Sequence, residues 1–100
     1  TIDEYAFYNS NVKEIVFNDN LVELEDFSFA KNINLNNVIL PDSVRILGDS
    51  VFQDCKALEV LVLNQGLESI GKLCFYNTKV SKDLVIPDSV TSIGKDLFKK

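Results

Sequence analysis

The most reactive side chains in this sequence are two thiols, Cys55 and Cys74, and fifteen Asp and Glu carboxylates. A nucleophilic cysteine needs a base or a positive charge beside it to hold the thiolate. The sequence has no His, so the usual general base and the commonest metal ligand are both missing. The thiols do not form a C-x-x-C pair, and two cysteines make no disulfide framework. Asp19, Asp42 and Asp88 recur at one place in a repeating pattern, where a row of oxygen ligands would hold calcium. One carboxylate per repeat is a thin ligand set, Gln65 interrupts the row, and Asp is also an ordinary turn former. There is no glycine-rich phosphate loop, zinc spacing or Ser/His/Asp constellation. Paired carboxylates of the glycosidase kind would need a deep cleft, which is not expected in so short a chain. The expectation is a non-enzyme with no cofactor and no metal, whose thiols are free and structural.

Composition narrows the partners. Ten Lys and Arg against fifteen acids give a net charge of −5 and a pI near 4.5, which disfavours nucleic acid and anionic lipid. A hydrophobic fraction of 46% with 25% charged residues is globular, and 100 residues make one domain. No apolar run approaches the roughly 18 residues of a membrane span. The sequence opens at Thr1 without Met or a basic-then-apolar leader, which reads as a processed or excised piece.

The elements that position these residues come from an internal repeat. Phe7, Phe29, Phe52, Phe75 and Phe98 are spaced by 22, 23, 23 and 23 residues. Five residues before each stand Ile2, Leu24, Leu47, Ile70 and Ile93. Four before stand Asp3, Glu25, Gly48, Gly71 and Gly94. Six after stand Val12, Leu35, Leu58 and Ser81; nine after, Ile15, Val38, Leu61 and Leu84; eleven after, Phe17, Leu40, Leu63 and Ile86. The first repeat needs one deletion between Tyr8 and Val12 to keep this register. The segments PDSVRILGDSVF (Pro41 to Phe52) and PDSVTSIGKDLF (Pro87 to Phe98) are the clearest copies.

This pattern of Ile-Gly, Ala-Phe, Cys and Leu followed by Val-x-Ile-Pro resembles the BspA-like leucine-rich repeats over essentially the whole chain. Asp3 and Glu25 depart from it at the Gly, and Ser10, Asn32 and Thr78 stand where Cys55 matches the Cys. The resemblance implies an α/β leucine-rich repeat solenoid of about four coils (2–23, 24–46, 47–69 and 70–92, with a partial 93–100) inside a longer array. It also implies a cell-surface or secreted protein that adheres to host or neighbouring-cell proteins.

The spacing assigns the columns. Positions nine and eleven share one strand face, which predicts parallel strands near 14–17, 37–40, 60–63 and 83–86 on a concave face. Pro41 and Pro87 help end them. The Ile-Gly-x-x-x-Phe segments predict short helical turns on the convex side, over 3–9, 26–31, 48–54, 71–77 and 95–99. Asp3 and Glu25 there suit a helix N-terminus. A second, irregular strand-like stretch is expected through 44–47, 67–70 and 90–93. Each coil buries its core against neighbours, so exposed end coils would invite end-to-end self-association.

Function falls to the outward columns. Val16, Ile39, Val62 and Val85 form an aliphatic ladder; Glu14, Asn37, Val60 and Asp83 lie two residues before them, and Lys13, Asn36, Glu59 and Lys82 precede those. An apolar centre with a polar rim fits a protein-binding surface. The candidate contacts are Val16, Ile39, Val60, Val62 and Val85, with Glu14 and Asp83 at the edge. Val and Ile are also simply good strand residues, which leaves a rigid spacer without a ligand as the alternative. Tyr5, Tyr8 and Tyr76 suit packing beside the Phe column, or an interface.

Overall fold

Phe7, Phe29, Phe52, Phe75 and Phe98 stack in order, with ring centroids 5.1, 5.9, 6.4 and 5.7 Å apart. The structure, a computed structural model, describes residues 1–98. The ends of the turn expected over 95–99 and of the partial repeat 93–100 lie outside the described residues. Phe29, Phe52 and Phe75 are fully buried, each contributing about 1.5–3 kcal/mol of burial. Leu24, Leu35, Leu47, Leu58, Leu67 and Ile70 complete the core around this spine.

The repeats lie side by side in parallel. Four two-residue strands, β1 (Glu23–Leu24), β3 (Ile46–Leu47), β5 (Ser69–Ile70) and β6 (Ser92–Ile93), form one sheet in that order. Every pair is in register at a 23-residue offset, as in Leu24↔Leu47 and Leu47↔Ile70, and Ile2 bridges to Leu24. The stretch expected to be irregular is thus the longer ladder. At its glycines the backbones run close: a Cβ on Gly71 would collide with the Gly48 carbonyl, and one on Gly94 with the Lys72 backbone. Gly71 and Gly94 N–H donate to Leu47 and Ile70 C=O at 2.8 Å, and Glu25 N–H makes the equivalent bond to Ile2 C=O at 2.9 Å.

The concave sheet is shorter than expected. Only β2 (Asn37–Ile39) and β4 (Val60–Val62) pair, with Ile39 opposite Val62. The strands expected at 14–17 and 83–86 do not form. Ser81 stands in a core column that holds Leu35 and Leu58, both fully buried. Val80 takes that buried place one residue early. The chain then turns at Ser81, whose C=O and Oγ accept from Leu84 and Asp83 N–H. Residues 84–86 are left out of step with β4. In the first repeat the one-residue deletion acts similarly: Val12 N–H is taken by the Asn32 Oδ1 at 2.8 Å, and 14–17 runs unpaired.

The expected helical turns are also corrected: there is no helix among the described residues. Residues two before each Phe, and two after each of Phe7, Phe29, Phe52 and Phe75, have positive φ. Tyr5, Phe27, Ser50, Leu73 and Asp96 form the first set; Asn9, Lys31, Asp54 and Asn77 form the second. Left-handed residues interrupt a right-handed helix and cost about 1–2 kcal/mol each. The backbone is instead used between repeats. Phe27, Phe29 and Lys31 N–H donate to Asp49, Val51 and Gln53 C=O, and the same pattern recurs from Tyr5, Phe7 and Asn9 and from Ser50, Phe52 and Asp54. A helix would consume those donors internally. Asp3 and Glu25 therefore cap no helix; the carboxylates that cap here are Asp26 and Asp49, whose Oδ1 atoms accept from the N–H of Asp49 and Lys72 in the next repeat.

Candidate protein-interaction surface

The alternation of β2 and β4 sends Val38 and Leu61 into the core and turns Ile39, Val60 and Val62 outward. Beyond this paired centre, Ile15, Phe17, Leu84 and Ile86 still pack against the core, so Val16 and Val85 between them point away. The exposures differ: Val16 is 99% and Val85 78% accessible, against 63% for Ile39 and 47% for Val62. Pairing half-covers the central residues and leaves the flanking ones bare. Glu14 and Asp83 are exposed.

The seven candidate residues do not make one continuous strip. Ile39 and Val62 face each other across the β2–β4 pair, with Val60 opposite Asn37. Val62, Val85 and Asp83 line a cleft of about 500 Å³ between β4 and residues 84–86. Glu14 and Val16 line a separate cleft of about 680 Å³ in the first repeat, floored by Ile2, Phe7, Ile15 and Phe17. Sequence reasoning passed over Glu59 and Leu61 as cleft residues, although Ser81 in a leucine column signalled that the sheet would open there.

The convex side carries a second feature. Tyr5 stacks on Phe27 at 5.0 Å and 4°, meets Tyr8 edge-on at 5.1 Å, and Lys31 Nζ lies 5.7 Å above the Tyr8 ring. Phe27 was not singled out in the sequence, because it precedes the Phe column by two residues. Tyr5 is about half exposed while stacked, and Tyr8 and Tyr76 are half-buried.

The thiols are free and buried. Cys55 Sγ donates to the Phe29 carbonyl at 3.1 Å. Asn32 and Thr78 fill equivalent places, each donating to a Phe carbonyl, at 2.8 and 2.9 Å. This column therefore selects a short side chain that ties down the Phe turn. Burial pushes the Cys55 thiol up to about 12, and full burial pushes Cys74 up further. Asp19, Asp42 and Asp88 are exposed in turns, and no cluster of three or more His, Cys, Asp or Glu placed to hold a metal occurs among the described residues. No helix there is long and apolar enough to cross a membrane.

Compared with known families, the chain matches the BspA type leucine rich repeat region, in six copies over residues 1–100. No match was found among curated proteins or among solved structures.

Proposed function

The chain belongs to the BspA-type leucine-rich repeat family, and from that premise we propose that it is a non-catalytic protein-binding module of a cell-surface or secreted protein, adhering to proteins of a host or neighbouring cell through its concave face. The observation that carries the reading is the exposure of Val16 and Val85. Both lie outside any strand and are nearly bare, so strand propensity does not account for them. Exposed apolar side chains at the centre and on both flanks of this face, with Glu14, Glu59 and Asp83 around them, are in keeping with the apolar centre and polar rim of an interface. The net charge of −5 favours a basic protein over nucleic acid or anionic lipid. Absence of catalysis is supported by the thiols, which burial keeps protonated and out of reach.

The test is binding to immobilised extracellular-matrix and cell-surface proteins, comparing the native chain with Ile39→Lys/Val62→Lys at matched melting temperature. Binding by the native chain and its loss in the folded variant supports the concave surface. Equal binding by both moves the interface elsewhere. No binding by either favours the rigid spacer, for which the direct pairing of Ile39 with Val62 is sheet packing and nothing more.

A further inference from the structure

The third and fourth repeats are fastened to each other at both ends of the concave face and open between. At one end Lys79 N–H donates to the Leu58 carbonyl at 2.8 Å. At the other, Ser89 Oγ accepts from Gly66 N–H at 3.0 Å and donates to the Leu67 carbonyl at 2.7 Å. Between these fastenings, residues 84–86 do not pair with β4, and the gap is the cleft of about 500 Å³.

The edge of β4 that borders this cleft has hydrogen-bonding capacity. On its other edge, Val60 N–H donates to Asn36 C=O and Val62 C=O accepts from Leu40 N–H. Backbone groups alternate in direction along a strand. The N–H and C=O of Leu61 therefore face the cleft, as an edge without a ladder partner. Leu61, Leu84, Val62 and Val85 supply apolar walls, and the two charged residues of the lining, Glu59 and Asp83, are both acidic. Lys79 and Lys82 lie in the preceding turn, outside the lining.

We propose that this slot takes an extended peptide segment of a partner protein, carrying lysine or arginine among aliphatic residues, by strand addition to β4. The proposal rests on the protein-binding reading above and specifies the partner's form. Main-chain bonds to Leu61 supply the anchor, alternate side chains enter the apolar walls, and the basic groups meet Glu59 and Asp83. Another exposed segment of the chain, 14–17, lies beside the first-repeat cleft, but apart from Thr1 and Phe29 that cleft is lined by the first repeat alone, and no residue of β2 or β4 offers it a strand edge.

The probe is an acetylated, amidated octapeptide of alternating valine and lysine, titrated into the ¹⁵N-labelled chain while backbone amide resonances are followed. Saturable shifts at Leu61, Val62 and Leu84 are expected. An otherwise identical peptide N-methylated at alternate residues, which cannot extend a ladder, and a valine–glutamate octapeptide are each expected to bind about tenfold or more weakly. Ser81→Leu offers the core column a leucine in place of Val80, and is expected to close the slot and abolish binding without lowering the melting temperature. Equal binding of the N-methylated peptide, binding unchanged in Ser81→Leu, shifts confined to Val16 and Ile39, or no saturation by the valine–lysine peptide would each overturn strand addition. None of these outcomes touches the wider concave-face reading, which fails only if Ile39→Lys/Val62→Lys binds partner proteins as the native chain does.

Discussion

The two parallel ladders are made from the same repeats, yet the Ile-Gly ladder runs through β1, β3, β5 and β6 while the concave ladder holds only β2 and β4. In the Ile-Gly ladder no side chain at Gly48, Gly71 or Gly94 keeps neighbouring backbones apart, and the same backbone bond forms at Glu25, where a side chain is present. The concave ladder is set by what is present. It needs a leucine-sized residue six positions after the Phe to hold the strand in step, and it fails where Ser81 replaces one. Close backbone approach tolerates sequence drift around it; side-chain register does not. The variable face carries the barest apolar residues, Val16 and Val85, and the open edge of β4, while Val22, Ile33 and Ile93 are about half exposed elsewhere.

The largest effect should fall on both ladders together. Phe52 sits at the middle of the stacked spine, between Phe29 and Phe75. Phe52→Ala is expected to cost about 3–5 kcal/mol, measured by urea unfolding, with amide protection lost at Leu47 and Val60 alike. Protection that survives in one ladder would show that the two are independent units.

Gly71→Ala should separate them. Its Cβ enters the space of the Gly48 carbonyl, and the forced shift is expected to cost about 1–3 kcal/mol. Hydrogen exchange should quicken at Ile70 and Gly71 while the bonds between β2 and β4 stay protected. Equal loss in both would mean that the concave pair depends on the Ile-Gly ladder.

Ser81→Leu tests the same contrast in the opposite direction. A leucine at 81 displaces Val80 from the column of Leu35 and Leu58, burying about one more CH₂, which should stabilise the chain by about 0.8 kcal/mol and confer new amide protection at residues 84–86. A variant that stays unpaired there would place the cause of the opening elsewhere in the loop.

The contrast also explains what the sequence disclosed. The Phe spine, the 23-residue register, the inward Val38, Leu40, Leu61 and Leu63, and the family were legible, because repetition multiplies a weak apolar signal. The convex turns were misread as helical. Glycine before a run ending in Phe suits a helix start equally well, and the left-handed positions fall on Tyr5, Phe27 and Leu73, residue types that rarely adopt it. Asn9, Asp54 and Asn77 two residues after the Phe were the readable sign, since Asn and Asp tolerate that conformation. The lost strands were also written in the sequence, in Ser81 and in the deletion before Val12. Neither exception reveals its structural consequence until Val80 and Asn32 are seen to take over.

The smallest effect is one of pH and timing, read through the thiols. Cys74 lies three residues beyond the Ile-Gly ladder at Gly71, and Cys55 lies on the segment leading into β4. Because burial holds both thiols above their ordinary value, to about 12 for Cys55, the unfolded chain releases these protons first as pH rises. Their linkage contribution is accordingly intact below about 9, the ordinary thiol value, and is lost progressively as pH climbs toward the folded value. Urea midpoints should fall over that window, and less so in Cys55→Ala. At pH 8, where the folded thiols stay protonated, alkylation must wait for local opening. The Ile-Gly ladder is continuous across the repeats and the concave one is not. Cys55 should therefore react with iodoacetamide faster than Cys74, and Ser81→Leu should narrow the difference by slowing Cys55. Cys74 reacting first would reverse the order of stability assigned to the two ladders.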